Sequence, residues 1–124
     1  MFEAIRIKLL GIQPAAKVTD KLLERLFQRE FGNRAPEVKQ KLQQVTSETQ
    51  KGKNRISAAI LKLSNMDFSA IDYFIGMSSE DSRDVISKAE YPRCSKFGFD
   101  DIEGQNMKGV YLDDWTEYSK WLNK

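Results

Sequence analysis

The segment that decides the fold is residues 55–63, which read Arg-Ile-Ser-Ala-Ala-Ile-Leu-Lys-Leu. Apolar side chains recur within it at the helical spacing i, i+3, i+4, i+7: Ile56, Ala59, Ile60 and Leu63. This spacing predicts an amphipathic helix. Ala58 and Leu61 flank the apolar face and widen it. We therefore expect this helix to be buried more deeply than its neighbours.

Helical patterns also precede that segment. Thr19 or Asp20 is a suitable N-cap for a helix that ends at Gly32, where a positive φ is tolerated. Pro36 suits the first turn of a third helix. Residues 51–54, which read Lys-Gly-Lys-Asn, interrupt the pattern. An apolar stripe with helical spacing extends the third predicted helix up to that interruption: Val38, Leu42, Val45 and Thr49.

Three further helices are predicted after the central segment. Asp67 is a suitable N-cap for a helix that ends at Gly76, and the next helix stops before Pro92. Residues 93–112 differ, because short aromatic and β-branched runs flank a polar loop there. They predict an irregular segment or a small hairpin. Asp113 is the expected cap of a final helix.

The sequence as a whole predicts an all-α fold. Residues 2–12 show both helical and alternating apolar spacing, and we favour a helix because the neighbouring segments are helical. Six or seven short helices over residues 1–124 then form one bundle-like domain, since this length is ordinary for a single core. No apolar stretch approaches the roughly 20 residues of a spanning helix, so no transmembrane segment is expected.

The composition excludes several classes of chemistry. The chain has no histidine and a single cysteine, Cys94. Ser-His and Cys-His nucleophile pairs are therefore excluded within one chain, and structural zinc would lack ligands. No intramolecular disulfide can form, and charges interrupt the N-terminal apolar run, so we expect a cytoplasmic protein without a signal peptide. The sequence predicts no catalytic residue and no cofactor.

Charge is sorted along the chain. Residues 1–62 carry 13 Lys and Arg against 6 Asp and Glu, a net charge of +7, whereas residues 63–124 carry 7 against 12, a net charge of −5. The basic excess is densest at Lys51, Lys53 and Arg55, where cations and helix amides can meet a phosphate. A nucleic-acid-associated protein using residues 39–62 is therefore one alternative, and a solvated basic face is the other.

An aromatic stripe marks the final predicted helix, at Trp115, Tyr118 and Trp121. Such a stripe either packs in the core or docks a partner, because Trp and Tyr are enriched at interface hot spots. Together with the charge asymmetry, the stripe favours a non-catalytic protein-interaction module. The expected partner is another protein or a second copy of this chain.

Two weaker candidates concern metal and thiol chemistry. Asp100, Asp101 and Glu103 precede a glycine and two amide side chains, and oxygen ligands of this kind bind Ca²⁺ or Mg²⁺. The alternative is a solvated loop, since the EF-hand spacing is not met. Neighbouring cations can activate a thiol, which leaves Cys94 either reactive or inert. An enzyme that works without histidine, through carboxylates or a metal, is the third functional class.

Residues 55–92 also carry a resemblance. They contain an A-x-L-K-L helix at residues 59–63 and end with Arg-Asp-Val-Ile-Ser-Lys-Ala-Glu-Tyr-Pro at residues 83–92. This resembles small bacterial proteins of unknown function with an R-D-V-x-x-x-A-E-Y-P motif. The resemblance implies a bacterial, cytoplasmic, helical protein, and it assigns no activity and no site residue.

Overall fold

The computed structural model describes residues 15–97 and 107–124, and those residues contain seven α-helices and no strand. The all-α prediction is confirmed. The helices are α1 (Asp20–Phe31), α2 (Ala35–Leu42), α3 (Gln50–Ser64), α4 (Ile71–Glu80), α5 (Ser82–Glu90), α6 (Pro92–Phe97) and α7 (Met107–Asn123). Short 3₁₀ turns at Gly32–Arg34 and Phe68–Ala70 precede α2 and α4.

The chain divides into two compact units. One unit comprises residues 17–89 and holds α1 to α4 with nearly all of α5. The other comprises residues 1–16 and 90–124, and its described part contains α6 and α7. The single-domain organisation expected for residues 1–124 stays a prediction.

Helix α3 is the core of the 17–89 unit, as its wide apolar face indicates. Every residue from Ile56 to Leu61 is buried, and α3 packs against both α1 and α4. Apolar side chains of the neighbouring helices complete this core: Leu26, Phe27, Val38, Leu42, Ile71 and Ile75. Full burial of a Val, Leu, Ile or Phe side chain contributes about 1.5–3 kcal/mol. The packing of these helices around α3 therefore stabilises the unit.

The prediction of the third helix is wrong for its C-terminal half. Helix α2 ends at Leu42, and Val45 is buried from within the following loop. Thr49 is not the last residue of that helix but the N-cap of α3, where its Oγ1 accepts from the Gly52 amide at 3.0 Å. Residues 51–54 consequently lie in the first turns of α3 instead of interrupting the helical pattern. The first amides of a helix have no acceptor within it, and the Thr49 hydroxyl supplies one. This cap sets the start of α3, although Thr49 also fits the apolar spacing of the preceding helix.

A buried asparagine fixes that first turn. Asn54 Nδ2 donates to the Val18 carbonyl at 3.1 Å and to Asp20 Oδ1 at 2.7 Å. Its Oδ1 accepts from Gln50 Nε2 at 2.8 Å. Because a buried amide needs its hydrogen bonds, this network locks the start of α3 to the start of α1.

The remaining boundaries show one error and two confirmed predictions. Helix α4 runs past Gly76 to Glu80, so the predicted end at Gly76 is wrong; a glycine inside a helix costs only about 1 kcal/mol relative to alanine. Asp67 does cap, but it caps the 3₁₀ turn Phe68–Ala70 that leads into α4, accepting from the Ser69 amide at 3.0 Å. Helix α5 ends at Glu90 and α6 begins at Pro92, as the proline predicts.

The segment 93–112 is helical wherever it is described. Residues 93–97 belong to α6, and α7 begins at Met107, so neither a hairpin strand at 110–112 nor a cap at Asp113 is present. The reason is a continuous stripe at the spacing i, i+4, i+7, i+11: Tyr111, Trp115, Tyr118 and Leu122. Residues 98–106 of this segment, and the helix favoured at 2–12, lie outside the described residues.

Among the described residues, no helix combines the length and the apolar character needed to cross a membrane.

Candidate functional site

The predicted basic cluster does not form one exposed patch. Lys51 is exposed, whereas Lys53 and Arg55 are half-buried. Lys53 Nζ donates to the Gln43 carbonyl at 3.3 Å, just beyond the end of α2. A lysine there satisfies an orphan carbonyl and complements the helix dipole. Alternate residues on a helix point about 200° apart, so Lys53 faces away from the other two.

The predicted aromatic stripe packs inside its own unit. Tyr118 is 1% exposed, and Trp121 stacks on it with ring centroids 5.6 Å apart. Trp115 packs against a cluster formed by Tyr91, Cys94 and Tyr111. Tyr118 is therefore a core residue, whereas Trp115 and Trp121 are half-buried, and a docking role for the stripe stays a prediction.

One carboxylate holds α6 to α7. The Asp114 side chain is completely buried, and its Oδ2 accepts from the amides of Arg93 and Cys94, each at 3.1 Å. Its Oδ1 accepts from Arg93 Nη1 at 2.8 Å. Glu117 accepts from the same guanidinium at 2.6 Å. Hydrogen bonds to Glu117 first and Asp114 second raise the pKa of Arg93 above its usual value. Asp114 therefore caps the N-terminus of α6 from another helix.

The structure buries the thiol of Cys94. Burial raises its pKa to about 12, with the Asp114 carboxylate adding to the rise. The thiolate is the reactive form, so almost none is present near neutral pH. Of the two neighbouring cations that could activate this thiol, Arg93 and Lys96, Arg93 is paired with two carboxylates.

The candidate metal ligands Asp100, Asp101 and Glu103 lie outside the described residues. Within residues 15–97 and 107–124, no group of three or more metal-binding side chains is arranged to hold an ion.

A groove that sequence reasoning missed lies beside α2. We call it the Phe68 groove, and its volume is about 620 Å³. It is broadly open to solvent, so it is a shallow surface groove and not an enclosed cavity. Five of its lining residues come from α2 and the residues just after it, and the sixth comes from the 3₁₀ turn before α4: Glu37, Gln40, Lys41, Gln43, Gln44 and Phe68.

Two cations converge on the ring of Phe68. The Arg34 guanidinium carbon lies 3.4 Å from the ring centroid, and Lys41 Nζ lies 5.2 Å from it. Both distances suit cation–π attraction. Each cation also has an acidic neighbour, since Arg34 contacts Glu37 at 3.1 Å and Lys41 contacts Asp72 at 2.8 and 3.0 Å. No periodic pattern links residues thirty positions apart, which is why the sequence did not indicate this cluster.

Two large apolar side chains of the described chain are exposed, and both follow α3. Tyr73 is 65% exposed and directly follows Asp72, the acid that pairs with Lys41 in the groove. Met66 is 60% exposed and has a φ of 65°, in the left-handed region, next to Asn65 with a φ of 50°. That conformation costs a side chain such as methionine about 1–2 kcal/mol. Packing within the described residues does not explain why either side chain is exposed.

Comparison with known proteins gives no relative for this chain: no protein-family model matches it, and no curated protein or solved structure does so either.

Proposed function

We propose that this chain is a non-catalytic protein-interaction module of the bacterial cytoplasm, and that its docking surface is the Phe68 groove with Tyr73. The observation that carries the proposal is the exposure of Tyr73, 65%, on α4, the helix whose Asp72 pairs with the groove residue Lys41. Tyr and Arg are among the residues most enriched at interface hot spots. An exposed tyrosine is the kind of anchor that such surfaces use.

The surroundings of the cysteine and of the buried carboxylates support a non-catalytic role. Cys94 is buried with a pKa raised to about 12. The buried carboxylate of Asp114 caps α6, and that of Glu30 accepts from Arg29 Nε at 3.1 Å. These groups stabilise helices and ion pairs, and none of them lines the groove.

The nucleic-acid alternative has weaker support. Lys53 donates to a carbonyl, Lys39 pairs with Glu24 at 2.9 Å, and Lys41 pairs with Asp72. Acidic side chains therefore lie among the cations of residues 39–62, and each would repel a phosphate backbone.

Site-specific photo-crosslinking in the cells that make the protein tests this function. p-Benzoylphenylalanine replaces Tyr73 in one variant and Arg83, whose side chain is 89% exposed on α5, in a control. We expect a discrete protein adduct from position 73, none from position 83, and loss of the adduct when Phe68→Ser is added. An adduct between two copies identifies a second chain as the partner. No adduct, or equal adducts from both positions, overturns the proposal.

A further inference from the structure

We propose that Met66 is a reversible oxidation site of this protein: a peroxide converts its thioether to the sulfoxide, and the single thiol, Cys94, is spared. This inference does not depend on the proposed function, because it concerns the sulfur atoms of the chain and not the Phe68 groove. It follows from three observations: the exposure of Met66, the shielding of the other sulfur-containing side chains that the structure describes, and the hydrogen bonds of the turn around Met66.

Met66 is the most accessible of the sulfur-containing side chains that the structure describes. It is 60% exposed, and its chain neighbours Asn65 and Asp67 are exposed as well. Oxidation of a methionine requires only that the oxidant reaches the sulfur atom. Hydrogen peroxide is small and uncharged, so the neighbouring carboxylate of Asp67 does not repel it.

The other described sulfur atoms are harder to reach. Cys94 is completely buried, and burial raises its pKa to about 12. The thiolate that would attack a peroxide is therefore almost absent near neutral pH. Met77 is half-buried within α4. The order of oxidation that burial predicts is therefore Met66 first, Met77 second and Cys94 last.

Backbone hydrogen bonds hold the turn on both sides of Met66. The Asn65 amide donates to the Lys62 carbonyl at 3.2 Å. The Asp67 amide donates to the Ser64 carbonyl at 2.9 Å. Neither bond uses the Met66 side chain, so a sulfoxide oxygen can be hydrated there without breaking them. Oxidation should therefore leave the fold intact, as most changes to exposed side chains do.

The reaction balances with a peroxide as the only co-reactant. A lone pair of the Met66 sulfur attacks one oxygen of hydrogen peroxide, so that an S–O bond forms and the O–O bond breaks. The sulfur is oxidised to the sulfoxide, the peroxide is reduced, and its second oxygen leaves as water. Because the sulfoxide stays accessible on the folded chain, methionine sulfoxide reductases can return it to the thioether.

Peptide mapping by mass spectrometry tests this inference on the full, folded chain treated with hydrogen peroxide. The chain is then unfolded and alkylated with iodoacetamide, so that one experiment quantifies both the sulfoxides and the surviving thiol. We expect Met66 to be oxidised about threefold or more faster than Met77, while Cys94 remains fully alkylated. Methionine sulfoxide reductases should restore Met66 without unfolding of the chain.

Two variants serve as controls. Met77→Leu should leave the rate of oxidation at Met66 unchanged. The midpoint of urea unfolding should be the same before and after oxidation of Met66, and a drop that Met66→Leu does not show would mean that the fold does not tolerate the sulfoxide. Oxidation of Met77 or Cys94 as fast as that of Met66 overturns the inference. Failure of the reductases to restore Met66 on the folded chain overturns its reversibility.

Discussion

The buried carboxylate of Asp114 offers a sharp test of how α6 and α7 are held together. In Asp114→Ala the amides of Arg93 and Cys94 and the Arg93 guanidinium all lose an acceptor. Breaking a buried pair costs about 3–5 kcal/mol when the remaining charge is stranded. Arg93 is 42% exposed and keeps Glu117, so its charge is not stranded. We therefore expect the lower end, a loss of about 3 kcal/mol in the free energy of unfolding.

Two further variants separate the cap from the ion pair. In Asp114→Asn the amide oxygen can still accept from both backbone amides, while its nitrogen faces the guanidinium, so we expect a loss of about 1.5–2 kcal/mol. Glu117→Gln removes the other acid on Arg93, whose contact is shorter at 2.6 Å. Glu117 is 61% exposed, so we expect a loss of only about 0.5 kcal/mol. The expected order of these losses follows the burial of each carboxylate and not the length of its contact with Arg93.

Urea unfolding followed by tryptophan fluorescence measures these losses, because both tryptophans of the chain, Trp115 and Trp121, lie in α7. Helix content followed by circular dichroism in parallel reports the whole chain. Coincident transitions by both probes support the predicted single domain, and separate transitions contradict it. A Glu117→Gln loss as large as that of Asp114→Ala would refute the reasoning about burial, and so would an Asp114→Ala variant within 1 kcal/mol of the wild type.

Two other predictions concern backbone strain and thiol ionisation. Met66 has a φ of 65°, so Met66→Gly should raise the free energy of unfolding by about 0.5–1 kcal/mol, because relief of strain exceeds the entropy cost of glycine; a loss in urea unfolding would contradict this. Cys94, with its pKa raised to about 12, should react with iodoacetamide at pH 8 only as fast as the chain unfolds, and labelling at the rate of a free thiol would refute its burial. Since the unfolded thiol ionises near pH 9, the wild-type stability should fall between about pH 9 and 12, and Cys94→Ala should remove that contribution to the fall.

The core and the all-α class were predictable because the buried residues of a helix recur at a regular spacing in the sequence. The apolar face of residues 55–63 indicated the most buried helix, and that helix is α3. The helix boundaries were harder to predict, because single side-chain hydrogen bonds set them and can override the apolar pattern. Thr49 fits the stripe of α2 by spacing, yet its hydroxyl caps α3 instead. The stripe from Tyr111 to Leu122 was readable in the sequence as one helix, but its first aromatic and β-branched residues also have high strand propensity.

The candidate site was not predictable because it depends on contacts between distant segments. Phe68 has the spacing of an ordinary core residue, and only the fold brings it under Arg34 and beside Lys41. Sequence reasoning selected Lys53 by local charge density, and the structure pairs it with the carbonyl of Gln43. Charge density along a chain does not record which cations the fold neutralises.

In the fold, an ion pair joins the basic half of the sequence to the acidic half. Lys41 belongs to the basic half and Asp72 to the acidic half, and the packing of α2 beside α4 joins them. Such a pair adds little stability, since Asp72 is 64% exposed. It does show that oppositely charged halves of the sequence meet where α2 packs beside α4, so a basic stretch of sequence need not form a basic surface.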